Sequence, residues 1–126
     1  MEHLETKELR QGNIILVSGK PGIVSEIYDY DVIRVSEPEY PVSVVHTRGI
    51  PISEEWLNKF GIFRCKSYPE CFEIPNGFPS YEFENGRFVV SESYYLSCMP
   101  EIKHVHQFQN LYFTMTGKEL EIKEHA

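Results

Sequence analysis

No apolar run in this chain approaches the roughly 18 residues that a membrane helix needs. The first residues, Met1-Glu2-His3-Leu4-Glu5-Thr6-Lys7, are charged where a secretion signal would be hydrophobic. Both absences point to a cytoplasmic protein with no membrane partner. Cysteine is scarce: Cys65, Cys71 and Cys98 form an odd set without a close CxxC pair. Such a set speaks against a disulfide framework and for free thiols, with no intrachain disulfide expected in the cytoplasm. Positive charge is also short. The net charge is −7, with five basic and eight acidic side chains in residues 1–52, and seven and eleven in residues 53–126. An acidic surplus spread this evenly disfavours nucleic acid as a partner. A phosphate-cradling loop is missing too, because Gly19-Lys20-Pro21-Gly22 lacks the required spacing and following helix. The chain has no internal repeat and no low-complexity linker.

What is present is an ordinary globular composition, 41% hydrophobic and 25% charged over 126 residues. That length suits one domain, or two small lobes sharing a core, divided here as 1–52 and 53–126. In the first lobe, Ile14-Ile15-Leu16-Val17 reads as a buried strand and Ser18-Gly19-Lys20-Pro21-Gly22 as a turn. Ile23 to Tyr28 returns, Val32 to Val35 follows, and Val42-Ser43-Val44-Val45-His46 comes after a loop through Pro38 and Pro41. Four or five short strands at this spacing predict a small, strongly bent barrel.

A short helix should begin after Ser53, a good N-cap, with Glu54 and Glu55 favouring its first turn and Gly61 ending it. Ile52 and Leu57 sit at staple positions, and Trp56 and Phe60 should face the core together. Strands Ile62–Cys65 and Cys71–Ile74 come next. Asn85-Gly86 between alternating strands then specifies a two-residue turn. That turn pairs Glu84 with Arg87, Phe83 with Phe88 and Tyr81 with Val90, placing four apolar residues on one face.

The long helix is expected between Pro100 and Gly117, with Pro100 in its first turn and Gly117 as its left-handed stop. Ile102, Val105, Phe108, Leu111, Tyr112, Phe113 and Met115 fall on one arc of roughly 200°. A face that wide needs cover on more than one side. It predicts that the hairpin's apolar face packs on this helix and that Phe108, Leu111, Tyr112 and Met115 are buried. Leu120-Glu121-Ile122-Lys123 should form a short closing edge strand. The fold class is therefore α+β: an N-terminal SH3-like small β-barrel, a short helix, then a small antiparallel sheet packed on one long C-terminal helix.

Two segments carry a resemblance. Ile52-Ser53-Glu54-Glu55-Trp56-Leu57-Asn58-Lys59-Phe60-Gly61 is similar to the TEEWLxKFGF segment of a group of small uncharacterised proteins. Val105-His106-Gln107-Phe108-Gln109-Asn110-Leu111-Tyr112-Phe113-Thr114-Met115-Thr116-Gly117-Lys118-Glu119-Leu120 resembles their VHQLQNLYFALTGEEL ending. Glu8-Leu9-Arg10-Gln11-Gly12-Asn13 fits their opening. These proteins are encoded in anaerobic gut bacteria, their phages and integrated elements, which implies an accessory role without supplying catalytic residues. Gly12-Asn13-Ile14, Gly22-Ile23-Val24 and Val32-Ile33-Arg34-Val35 also faintly resemble KOW-type SH3-like barrels. Glu26, Asp29, Asp31, Glu37 and Glu39 depart from that pattern, standing where an RNA-binding barrel favours lysine.

The remaining polar groups offer little chemistry. His104 and His106, two apart on a helix, point about 200° apart and cannot chelate one ion. His106 should border the polar arc. Gln109 lies within the apolar arc, so its amide should bond main-chain groups of a neighbouring strand or loop. Cys65 and Cys71, with His46 or Cys98, are too loosely spaced for a zinc site, and buried apolar roles suit the thiols better. No catalytic, metal or cofactor set is identified. The candidate interaction surface consists of Gln107 and Asn110 on the helix's polar strip, with Tyr28, Tyr30 and Tyr40 near first-lobe turns. The expected function is a non-enzymatic protein-interaction module of a phage or mobile element; the alternative is nucleic-acid binding through the barrel.

Overall fold

The computed structural model describes residues 3–28, 31–36, 40–66, 71–74, 81–84, 87–90 and 102–123, with backbone pairing alone for 81–84 and 87–90. The expected Asn85-Gly86 turn, Pro38, Pro100, Cys98 and Tyr30 lie outside those residues. The protein is a small mixed α+β chain that divides into two compact units. The first unit comprises Met1–Pro51 with His104–Asn110, and the second Ile52–Lys103 with Leu111–Ala126.

The first unit is built on a curled antiparallel sheet. Its strands are β1 (Ile14–Val17), β2 (Lys20–Ile27), β3 (Val32–Ser36), β4 (Tyr40–Ser43) and β5 (Thr47–Arg48), ordered β4-β3-β2-β1-β5. Ser18 and Gly19 form the β1–β2 turn with φ of 50° and 85°, so both central residues have the positive φ of a type I′ turn. A register shift between Val24 and Glu26 marks a bulge in β2, a device that bends a strand. The strand expected over Val42 to His46 lies earlier in the chain, starting at Tyr40 and running through Pro41, which the sequence placed in a loop, and ending at Ser43. After Ser43 the chain enters a one-turn 3-10 helix, Val44–His46, capped by the Ser43 hydroxyl accepting from Val45 N. Inward positions alternate along the strands and form one cluster of Ile15, Val17, Val24, Ile33, Val35, Val42 and Val44. Leu4 and Leu9, from the opening segment around a 3-10 turn at Thr6–Glu8, complete that cluster.

In the second unit, α1 (Glu54–Lys59) starts as expected, with Ser53 Oγ accepting from Trp56 N at 3.3 Å. Gly61 follows at φ +81°. Leu57, Phe60 and Ile62 are buried, whereas Trp56 is only half-buried beneath the ammonium of Lys59. Strands β6 (Cys71–Phe72), β7 (Tyr81–Glu84) and β8 (Arg87–Val90) make a three-stranded antiparallel sheet. The hairpin register is the expected one: Glu84 opposite Arg87, Phe83 opposite Phe88, Tyr81 opposite Val90. Residues 62–65 contribute a single bridge, Arg64 to Phe72, in place of the full strand anticipated. Residues 120–123 form no strand either; Leu120 is buried and Lys123 N donates to Lys59 O.

The long helix, α2, spans Val105–Thr116, starting later than expected because Ile102 and His104 are engaged in extended bridges. Gly117 ends it at φ +76°, as anticipated. Val105, Phe108 and Tyr112 are buried, Leu111 is half-buried, and Met115 is 44% exposed. The apolar face is thus narrower than composition implied, and the expectation that Met115 is buried is corrected. None of the helices among the described residues is long and apolar enough to cross a membrane.

Candidate functional site

The start of α2 carries a polar network that ties it to the first unit's opening segment and β1. His104 N–H is accepted by Gln107 Oε1 at 2.9 Å, the reach-back of a helix N-terminal box. Val105 N, another amide that the helix cannot satisfy, donates to Ile50 O. Gln109 is 3% exposed, and its amide does what the sequence demanded of it. Its Oε1 accepts from Ile14 N at 2.8 Å and its Nε2 donates to Gly12 O at 3.0 Å. It thereby stands in for a neighbouring strand at the entry of β1.

Asn110 is not the solvated contact residue that its helical position suggested. Its Oδ1 accepts from Arg10 Nη1 (3.0 Å) and Asn13 Nδ2 (2.8 Å), and its Nδ2 donates to Glu8 O (3.0 Å). Asn13 is wholly buried, and its own Oδ1 accepts from Arg10 N. The amides of Asn13 and Asn110 are therefore structural. Gln107 is exposed, as expected, but its carbonyl serves the helix start. The proposed polar strip divides into a cap and an internal clasp.

His106 departs furthest from its expected place on the polar border, being fully buried. Its Nε2 lies 3.0 Å from Glu8 Oε1. An ionised carboxylate only accepts, so Nε2 carries the proton of that bond. Nδ1 is buried with no hydrogen-bond partner among the described residues. The His104 ring stacks on it at 5.7 Å between centroids and 15° between planes. Helical geometry had set the two rings apart, but His104 precedes the helix. Gly49 makes room for that ring, since a Cβ there would stand 2.7 Å from His104 Cγ.

Of the candidate tyrosines, Tyr28 and Tyr40 are 48% and 42% exposed, and Tyr30 lies outside the described residues. Tyr28 and Tyr40 do not form one surface. Tyr40 pairs with inward-facing Val35. Tyr28, whose N–H donates to Val32 O, continues the outward row of Glu26. On that outer face Arg34 is opposite Glu26, with Nε and Oε1 3.4 Å apart. The Arg34 Nε also donates to the Tyr28 hydroxyl, and its guanidinium lies 5.5 Å from the Tyr28 ring centroid. The result is an exposed tyrosine held by a cation that is itself ion-paired. Proximity of Glu26, Tyr28 and Arg34 escaped sequence reasoning, although the β2–β3 hairpin pattern contained the signal.

Strand β4 is an edge, and its register explains why it is a poor template for an added strand. Val44 N donates to Asp31 O, which makes Ile33–Val42 a hydrogen-bonded pair and Arg34–Pro41 a non-hydrogen-bonded one, so the Pro41 nitrogen turns toward the open edge. Proline has no N–H to offer there. A hollow of about 450 Å³ opens between His3, Glu5, Lys7, Asp31, Val44 and Val45, mixing both signs of charge over an apolar floor. Among the described residues, no three histidine, cysteine or acidic side chains gather as a metal site. Compared with family models, curated proteins and solved structures, the chain matches none of them.

Proposed function

We propose that the protein is a non-enzymatic interaction module, a cytoplasmic accessory protein of a phage or mobile element, that meets a protein partner through the outer face of the β2–β3 hairpin. The observation that carries this reading is the Glu26–Arg34–Tyr28 row. Tyrosine and arginine dominate the energetics of protein contacts because they bring large area and directed hydrogen bonds at low entropic cost. Here the Tyr28 ring is ordered before any partner arrives, by a guanidinium contact and a hydroxyl hydrogen bond. Strand addition is disfavoured by Pro41, so recognition falls to side chains on a sheet face. The sheet order, with β5 returning to β1 after a 3-10 turn, supports reading the first unit as an SH3-like barrel. Within the described residues of that unit, Arg34 is engaged by Glu26, which weakens the nucleic-acid alternative.

The test is capture of a partner from nuclease-treated host lysate, followed by titration of the identified protein against full-length wild type and Tyr28→Ala. We expect Tyr28→Ala to weaken binding by tenfold or more, about 1.4 kcal/mol, with an unchanged melting temperature. Equal affinity of the two proteins would remove this face from the interaction. A salt-dependent gel shift with DNA or RNA, retained by Tyr28→Ala, would replace the reading with the nucleic-acid one.

A further inference from the structure

Cys65 and Cys71 are separated by residues 66–70 in sequence, and both are half-buried thiols. The strand register brings them together. Arg64 bridges Phe72, Cys65 N donates to Cys71 O at 2.9 Å, and Glu73 N donates to Phe63 O at 3.3 Å. Bonds flanking the Arg64–Phe72 pair in this way make it the open pair of an antiparallel ladder and put Cys65 directly opposite Cys71. Opposite residues share a face. The Arg64 guanidinium lies 4.9 Å from the Phe72 ring centroid on one face, so the two cysteine side chains share the other. The Cα atoms of such a hydrogen-bonded pair are about 5.5 Å apart, inside the window of about 4.4–6.8 Å that a disulfide spans.

We propose that Cys65 and Cys71 form a dithiol site for reversible modification by low-molecular-weight disulfides of the glutathione class. One cysteine, as thiolate, attacks a sulfur of the small disulfide. The S–S bond breaks, one small thiolate leaves and takes up the proton that the cysteine lost, and a mixed disulfide remains. The second cysteine, as thiolate, attacks the protein sulfur of that mixed disulfide and expels the second small thiolate, which takes up its proton. The two protein thiols are oxidised by two electrons to the Cys65–Cys71 disulfide, and the small disulfide is reduced to two thiols. Access favours the exchange, because neither side chain is fully buried. Closing the bond ties the segment before β6 to β6 itself, beside the Arg64–Phe72 contact.

The full-length protein is incubated with a large excess of glutathione disulfide, its remaining thiols are alkylated, and it is digested without reduction. Cys65 and Cys71 should no longer be alkylated, and the digest should contain a Cys65–Cys71 cross-linked peptide that dithiothreitol dissolves. Cys98→Ser should form the same cross-link. Cys65→Ser and Cys71→Ser should lose it and retain a stable glutathione adduct on the surviving partner. Three thiols persisting in the wild type would overturn the proposal, as would a cross-link through Cys98 or between two chains. Peptide mapping of the wild type decides the matter even if a serine variant fails to fold.

Discussion

The two halves of α2 differ in a way opposite to their composition. The first half, grouped with the sheet, buries Val105, His106, Phe108 and Gln109, two of them polar. The second half, grouped with α1 and the small sheet, buries Tyr112 but leaves Phe113 38% and Met115 44% exposed. Hydrophobicity alone would rank these residues the other way. What separates them is partner supply. The first half lies against backbone whose Ile14 N–H and Gly12 carbonyl are met by the Gln109 side chain, and an amide can be buried where it replaces a strand partner in this way. At Gln109 a polar residue is buried because both ends of its amide are bonded.

The sharpest way to break this contrast is to remove one apolar residue from each half. Phe108 is completely buried, so Phe108→Ala should cost about 3–5 kcal/mol. A domain of this size holds only about 5–15 kcal/mol in total, so the variant should be largely unfolded at physiological temperature. Met115→Ala, made at an exposed position, should stay within about 0.5 kcal/mol of wild type. Urea denaturation of both measures it. Equal losses would show that the two halves are equally packed and would erase the distinction drawn here.

Next in size is the amide itself. Gln109→Ala leaves Ile14 N and Gly12 O without their side-chain partner, at about 1–3 kcal/mol for each orphaned group that water does not reach. Gln109→Glu should also destabilise, because a carboxylate can accept from Ile14 N but only repels Gly12 O. If Gln109→Leu were as stable as wild type, burial of the amide would owe nothing to its bonds.

Asn110 and Gln107 sharpen the contrast between internal and exposed polar residues. Asn110→Ala removes three hydrogen bonds in a part-buried setting and should cost roughly 1–2 kcal/mol. Gln107→Ala removes one bond at the helix start and should cost about 0.5 kcal/mol. Thermal melts compare them directly. A reversed order would return Asn110 to the exposed surface on which its helical position had placed it.

Much of this architecture was legible in local pattern, because alternation, caps and turn residues act over short distances. The Ser53 cap, the Gly117 stop, four of the five strands in the first sheet and the register of the β7–β8 hairpin follow from such signals. The need of Gln109 for main-chain partners was legible too, since a buried amide allows few alternatives. What escaped depends on residues far apart in the chain. Glu8 meets His106, Arg10 meets Asn110, and the helix starts at Val105 because Ile50 supplies an acceptor. A helical wheel assumes a helix whose boundaries are already known. Once His104 lies before the helix, every inference about its direction changes. The opposition of Cys65 and Cys71 was hidden for a related reason: spacing in sequence says nothing of register until a bridge such as Arg64–Phe72 fixes it.

The smallest effect belongs to a contact where neither partner is buried, the clasp between Arg64 and Glu54 in the second unit. Arg64 Nη2 and Nε reach the two Glu54 oxygens at 2.7 and 2.9 Å, a bidentate geometry, yet both side chains are 43% exposed. The hydrogen bonding of Arg64 holds the Glu54 carboxyl below its ordinary range, opposed by a smaller upward push from desolvation, with the arginine's charge adding the least. A carboxyl depressed in the folded state contributes stability above its unfolded value, about 4.3, and loses that contribution as pH falls through the folded value. Wild type should therefore melt slightly higher than Glu54→Gln near neutrality, and the gap should close in acid. Molar salt should narrow the gap at neutral pH as well, because exposed charges are screened. A difference that survived acid would assign the effect of Glu54→Gln to something other than its charge. A difference as large as that of Gln109→Ala would mean that exposure does not govern the strength of polar contacts in this chain.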